Sequence, residues 1–212
     1  MALAVAAVGL TVVLAERPVH GAFNGRTDST TSSAGTATSF CTTPGNTTIT
    51  VTADSFVDQG SPTSASGGSA TYLVVTPQAG SARRILVRFA PMPTVPSGCT
   101  VSAATLQIWA DSQVAGRTLG AYRADPSAAS WTEAGLTWNN QPVALGTAAT
   151  VVMPNTDQYL SWNVTPLVKD IYTSGNNGFV VRDQDETGPG AWQQFNSRAV
   201  ATNKPQLYVA WG

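Results

Sequence analysis

The sequence predicts an all-β fold, an antiparallel jelly-roll sandwich of two sheets with one or two short helices. Three observations carry this expectation: short β-rich runs recur along the chain, Gly, Pro, Asn and Ser separate them, and no long amphipathic helix lies between them. The 212 residues give room for one well-cored domain, and no repeat of about 20 to 50 residues divides them.

From the N-terminus, Ala2 to Ala15 (ALAVAAVGLTVVLA) is an apolar run of signal-peptide length, shorter than the roughly 18 residues a bilayer span needs. Val19 and Gly21 then place small residues before Ala22. Residues 1–21 therefore read as a signal peptide cleaved after Gly21, and the mature chain is expected outside the cell with no stable membrane insertion. Residues 22–46 are rich in Ser, Thr, Gly and Ala, with few apolar groups to offset the entropy of ordering, and read as a flexible leader. The folded domain is expected over residues 47–212.

Strands are expected at residues 47–52, 70–76, 84–89, 104–110, 117–123, 148–153, 159–164, 178–182, 192–197 and 206–211. Several alternate with period two, which assigns their faces. Ile85, Val87 and Phe89 should be core, as should Leu106 with Ile108 and Leu160 with Trp162 and Val164. Leu86, Arg88, Gln107, Trp109, Tyr159, Ser161 and Asn163 take the opposite phase. Two helical fragments are expected: Ser130 to Glu133 has the S-x-x-E spacing of a capping box, and Thr165 with Pro166 reads as N-cap and first turn of a helix over 166–173, with Gly175 beyond its end.

Composition removes several function classes. Eleven Lys and Arg against twelve Asp and Glu, at 11% charged residues, give no basic patch for a phosphate backbone, so no nucleic-acid partner is expected. The one histidine, His20, lies in the expected signal peptide. A mature chain without histidine cannot assemble a Ser-His-Asp or Cys-His site or a His-ligated zinc. No phosphate-binding G-x-x-x-x-G-K loop or dinucleotide fingerprint is present. Cys41 and Cys99 form an even pair in an exported chain, so a disulfide is expected, closing a loop worth about 4 kcal/mol.

The segments Ala53-Asp54-Ser55-Phe56-Val57-Asp58, Arg84 to Phe89, Val101 to Leu106, Ser130-Trp131-Thr132-Glu133, Leu136-Thr137-Trp138-Asn139-Asn140-Gln141-Pro142, Trp162 to Thr165 with Leu167 and Val168, and Asn177-Gly178-Phe179 follow one another along the chain. In this order they resemble the DNRLRE domain, a family closely related to family 96 carbohydrate-binding modules and to disaggregatase-related repeats. The T-W-N-N-Q-P run after S-W-x-E is its most specific part. Members commonly carry a short N-Y-G-like turn where this chain has Ala65-Ser66-Gly67-Gly68. The resemblance implies a secreted or surface-attached jelly-roll sandwich without catalytic activity.

Sugar binding asks for an aromatic ring to lie against a pyranose C–H face and planar polar groups at its edge. Trp109 points away from the core phase of its strand, and Arg88 has the outward phase of another. If those faces adjoin, the pair could hold an acidic sugar. Arg123, Trp192 and Tyr208 are further candidate ligand contacts, whereas Trp131, Trp138, Trp162 and Trp211 are explained by the family pattern or by core phase. No cofactor is required. Asp183, Asp185 and Glu186 in one loop, and Asp54 and Asp58 near the first strands, could offer oxygen ligands to a structural calcium. The only glutamates after Gly21 are Glu133, assigned to its capping box, and Glu186. A lyase would have to use Tyr122 or Tyr208 beside an arginine. The expected function is a secreted, non-catalytic module binding polysaccharide or cell-wall glycan. The alternative is a structural subunit of an extracellular layer or filament, self-associating through exposed strand edges.

Overall fold

A computed structural model describes residues 40–212. The signal peptide expected over residues 1–21, and most of the leader expected over 22–46, lie outside the described residues. Eleven strands and one α-helix follow: β1 (Gly45–Thr50), β2 (Ala53–Asp58), β3 (Tyr72–Val75), β4 (Arg83–Arg88), β5 (Val101–Ser112), β6 (Thr118–Ala124), β7 (Ala144–Val152), β8 (Gln158–Asn163), α1 (Thr165–Ser174), β9 (Phe179–Asp183), β10 (Gln193–Asn196) and β11 (Gln206–Trp211).

They form two antiparallel sheets, the sandwich the sequence predicts. The first has six strands in the order β1-β11-β5-β10-β3, with β8 on β5, and the second has five in the order β2-β4-β9-β6-β7. β5 organises the first sheet. It pairs with β11 from Val101 to Gln107 and with β8 from Thr105 to Ala110, and β10 joins its C-terminal end. Because Thr105 to Gln107 carry both partners, β8 and β11 lie on opposite edges of β5.

The period-two pattern fixes what the sheets enclose. Ile85, Val87 and Phe89 from β4 and beyond, Leu106 and Ile108 from β5, and Leu160, Trp162 and Val164 from β8 all sit in one buried cluster with Phe179, Phe195, Leu207 and Val209. Trp162 is wholly buried, and its indole N–H donates across the sandwich to the Leu119 carbonyl of β6 at 3.2 Å. Helix α1 adds Leu167, Val168 and Ile171 to this core. Pro166 stands in its first turn and Gly175 follows it, whose N–H closes the last turn on the Ile171 carbonyl. Among the described residues no helix is long and apolar enough to cross a membrane.

Two local expectations change, and one strand, β2, was not among those expected. Residues 130–133 form no helix. Ser130 accepts instead from Arg88 Nη1 at 2.7 Å, while Glu133 caps the Asp54 N–H on the edge strand β2 at 2.9 Å and pairs with Arg198. β2 has no alternation to read, because all six of its residues are buried. Leu86, expected to face outward, is fully buried in a second cluster with Val57, Val180, Trp131 and Leu136. The β6–β7 connection carries Trp131, Leu136 and Trp138 over the outer face of the second sheet, so that face is covered.

Cys41 and Cys99 are disulfide-bonded across a sequence separation of 58, tying the segment before β1 to the loop before β5.

Candidate functional site

On the outer face of the first sheet the outward residues of β5, β8 and β11 remain half-buried or exposed. Its lining follows from the register. Gln193 and Phe195 of β10 are wholly buried, so Gln194 and the adjoining Trp192 take the outward phase. On β5 the buried residues Leu106, Ile108 and Ala110 leave Thr105, Gln107, Trp109 and Asp111 outward. Tyr159 and Ser161 of β8, and Gln206 and Tyr208 of β11, complete the same side.

Two aromatic stations stand on or beside this face. At the β3 corner, Trp192 is 44% and Tyr72 38% exposed, with ring centroids 6.5 Å apart and planes tilted by 48°. Tyr72 stacks in turn on Phe56 of β2 at 5.9 Å, which fixes the ring against the edge of the second sheet. The Arg83 guanidinium lies 5.0 Å over the Trp192 ring and is held there by Asp58 at 2.7 Å. In the middle of the sheet Trp109 is half-buried and meets Tyr159 edge to face at 5.2 Å, as their direct register requires. Tyr159 donates to the Lys204 carbonyl at 3.3 Å, and burial pushes its phenol above the ordinary tyrosine value.

Amides connect the stations. Trp192 Nε1 donates to Gln194 Oε1 at 3.3 Å, and Gln194 Nε2 to Asp111 Oδ2 at 3.1 Å. Gln206 donates to Gln107 at 2.9 Å, and Gln107 to Ser161 at 2.9 Å. Gln194 is in register with Ser112, so Trp192 and Trp109 stand roughly 17 Å apart along the strands. The result is a strip of rings and primary amides with one carboxylate, Asp111, along it and Arg83 at one end.

The predicted site residues thus divide. Trp109, Trp192 and Tyr208 belong to this face. Arg88 and Arg123 do not, and the expected pairing of Arg88 with Trp109 is overturned. Arg88 is in β4 of the second sheet, with its guanidinium 4.9 Å over Trp131 beneath the β6–β7 connection. Arg123 lies at a register shift of β6 in that sheet, its Nε and Nη1 buried without a hydrogen-bond partner. Opposite phases in two different layers kept the faces apart, a relation that alternation within single strands does not encode. Tyr72, Tyr159, Gln194 and Arg83 escaped the sequence-based site. Once Phe195 is recognised as core, phase alone would have brought in Gln194.

The acidic groups are held elsewhere. Asp183 pairs with Arg117 at 2.7 Å, Glu186 with Arg84 at 2.6 Å and Arg182 at 3.1 Å, and Asp185 accepts from the Thr187 N–H and hydroxyl. Tyr122 has the Arg182 guanidinium 4.9 Å over its ring. Asp54 and Glu133 meet at a polar cleft of about 150 Å³ beside Gly67, Gly68 and Arg198. Asp54 accepts the Arg198 N–H at 2.6 Å, and burial, reinforced by the Glu133 charge, raises its pKa to about 6. Glu133 is held below the usual carboxylate range by hydrogen bonds from Arg198. Among the described residues no three or more His, Cys, Asp or Glu side chains gather within reach of one metal ion.

Residues 45–210 match the family described as carbohydrate-binding module family 96. A comparison with curated proteins finds none that matches.

Proposed function

The chain belongs to carbohydrate-binding module family 96, and from that premise we propose that it is an exported, non-catalytic module that lays a polysaccharide chain along the outer face of the first sheet. The observation that carries the reading is the conjunction of two aromatic stations on that side with amides between them. Trp192 and Tyr72 offer ring surface to sugar C–H faces, Trp109 with Tyr159 offers a second foothold, and Gln194, Gln107, Gln206 and Asp111 supply donors and acceptors at hydroxyl height. Tyr208 borders the strip, and Arg83 gives its far end a fixed donor. The stations are spaced for several consecutive sugar units, so the ligand is a polymer of cell-wall, matrix or plant origin.

Export is supported by the Cys41–Cys99 bond, which persists in oxidising compartments, and by the apolar segment within residues 1–21. No cofactor enters this reading. The alternative, a structural subunit of a surface layer or filament, draws support from the open strands β7 and β8.

The test is a polysaccharide panel probed with the mature chain, Trp192→Ala and Trp109→Ala, each checked for native thermal unfolding, with and without EDTA. Each substitution should weaken binding at least about tenfold, the loss of one buried aromatic contact, and the double variant should abolish it. Binding indifferent to both would overturn the site. Loss in EDTA would require calcium, and release of reducing ends or unsaturated sugar would overturn the non-catalytic reading.

A further inference from the structure

The four long sides of the two sheets are not treated alike. On β2 the edge is blocked: Glu133 caps the Asp54 N–H, and Gly67 lies so close that a Cβ there would collide with the Phe56 backbone nitrogen. At the other end of the second sheet, β7 pairs only with β6 among the described residues, and β8 pairs only with β5. These two strands are neighbours across the sandwich, so their unpaired edges share one side of the domain, where Pro166, Leu167 and Asp170 of α1 stand beside Gly146 to Ala149 at one end.

Backbone parity shows which groups are free. Met153 N–H donates to the Arg117 carbonyl at 2.7 Å, which directs the N–H groups of Ala149 and Val151 toward β6 and those of Thr150 and Val152 outward. Val164 N–H donates to the Ala104 carbonyl at 2.9 Å, which leaves the N–H groups of Tyr159 and Ser161 on the open edge of β8. An exposed edge is normally guarded by charge, proline or a covering segment. Here residues 143–153 and 158–164 contain no ionisable group except the Tyr159 phenol, and Val143 and Val152 are 63% and 60% exposed.

We infer that a second copy of this chain docks edge to edge on β7 and β8, joining the two sandwiches into continuous sheets about a twofold axis. A neutral edge is self-complementary in antiparallel pairing, because no like charges are brought opposite each other. The other exposed edge, β1, is as long as β8 but lies across β5 and β11 from it, on the opposite side of the sheet. Gly146, at φ +84°, bends β7 and ends its flat part, so pairing runs over Thr147 to Val152. That length is about 20 Å, and two layers about 10 Å apart make the contact roughly 1,000 Å² in total, at the low end for specific interfaces. The dimer is therefore concentration-dependent.

Its consequence for binding rests on the proposed sugar face. β8 is the neighbour of β5, so β8–β8 pairing leaves both outer faces on the same side and doubles the strip available to one polymer. The glycan station at Trp192 lies at the β2–β3 side, away from the contact.

Sedimentation velocity on the mature chain from low micromolar to millimolar protein tests this. The expected result is a monomer–dimer equilibrium that Thr150→Pro, which removes an outward N–H without touching the β6 ladder, and Thr150→Lys, which sets like charges together at the middle of the paired segment, each weaken at least about tenfold. A monomer over the whole range, or a dimer indifferent to both variants, overturns the inference whatever the sugar results. Should the two variants lower affinity for long polysaccharide but not for a short oligosaccharide, the doubled face is supported. A dimer that dissociates in both variants while Trp192→Ala leaves sugar binding intact sustains the interface and sinks the sugar face instead.

Discussion

Replacing Asp54 by Asn isolates the carboxyl in which burial outweighs every interaction that favours its charge. Asp54 is 4% exposed, and its pKa rises from an ordinary 3.8 to about 6 because burial outweighs the hydrogen bond from the Arg198 N–H. Between the unfolded and folded values the native state binds the extra proton, so folding is favoured as the pH falls through this window. A rise of about two pH units corresponds to roughly 3 kcal/mol that the ionised group withholds above pH 6 and restores below pH 4. Glu133 acts in the opposite sense: its depressed pKa gives stability above its unfolded value that is lost on further acidification. Wild type should therefore gain stability as the pH drops from 7 to about 4.5, then lose it. Asn keeps an oxygen for Arg198 and carries no charge, so Asp54→Asn should be more stable than wild type at pH 8 by about 1–3 kcal/mol and should flatten the rise. Urea unfolding at half-unit pH steps measures both. A wild-type profile that is flat or falls between pH 7 and 5, paralleled by the variant, would refute the linkage.

Two further predictions concern the core and the crosslink. Trp162→Phe removes the indole donor to the Leu119 carbonyl and leaves a void between the sheets, and should cost about 2–4 kcal/mol in chemical denaturation. Reducing Cys41–Cys99 should lower stability by about 4 kcal/mol, read from unfolding with and without reductant; two thiols alkylated without reductant would show the bond absent.

Where one face of a strand meets the core, the sequence is legible. Ile85, Val87, Leu106, Ile108, Leu160 and Trp162 were assigned by alternation and are all buried at 3% or less. β2 was illegible because both of its faces are covered, and Asp54 and Asp58 in a buried run contradict the usual polarity of a strand. Glu133 was misread for a related reason. The S-x-x-E spacing of a helix start also suits a residue that reaches back to cap an edge strand 79 positions away, and only the tertiary structure distinguishes the two. For the candidate site, placement on the outward side of a strand was legible residue by residue, in Trp109 and Tyr208 and in Trp192 beside β10, but not the grouping, since layer assignment depends on pairing partners and not on phase.

That separation of layers also explains the chemistry of the open face. The arginines that composition alone would offer to a ligand are taken up in the second sheet and its edges: Arg83 by Asp58, Arg84 and Arg182 by Glu186, Arg117 by Asp183, and Arg198 by Glu133. With a carboxylate paired to five of the seven guanidiniums among the described residues, little net charge is left to steer a distant polyion. The first sheet presents glutamines, threonines and rings in their place. Amides and aromatic faces act only at contact, so recognition on this face depends on fit along the strip, and a low-affinity foothold at each station gains most when several act together. An open β8 edge beside that strip is where a second copy would extend it, and that strand brings no charged side chain to the join.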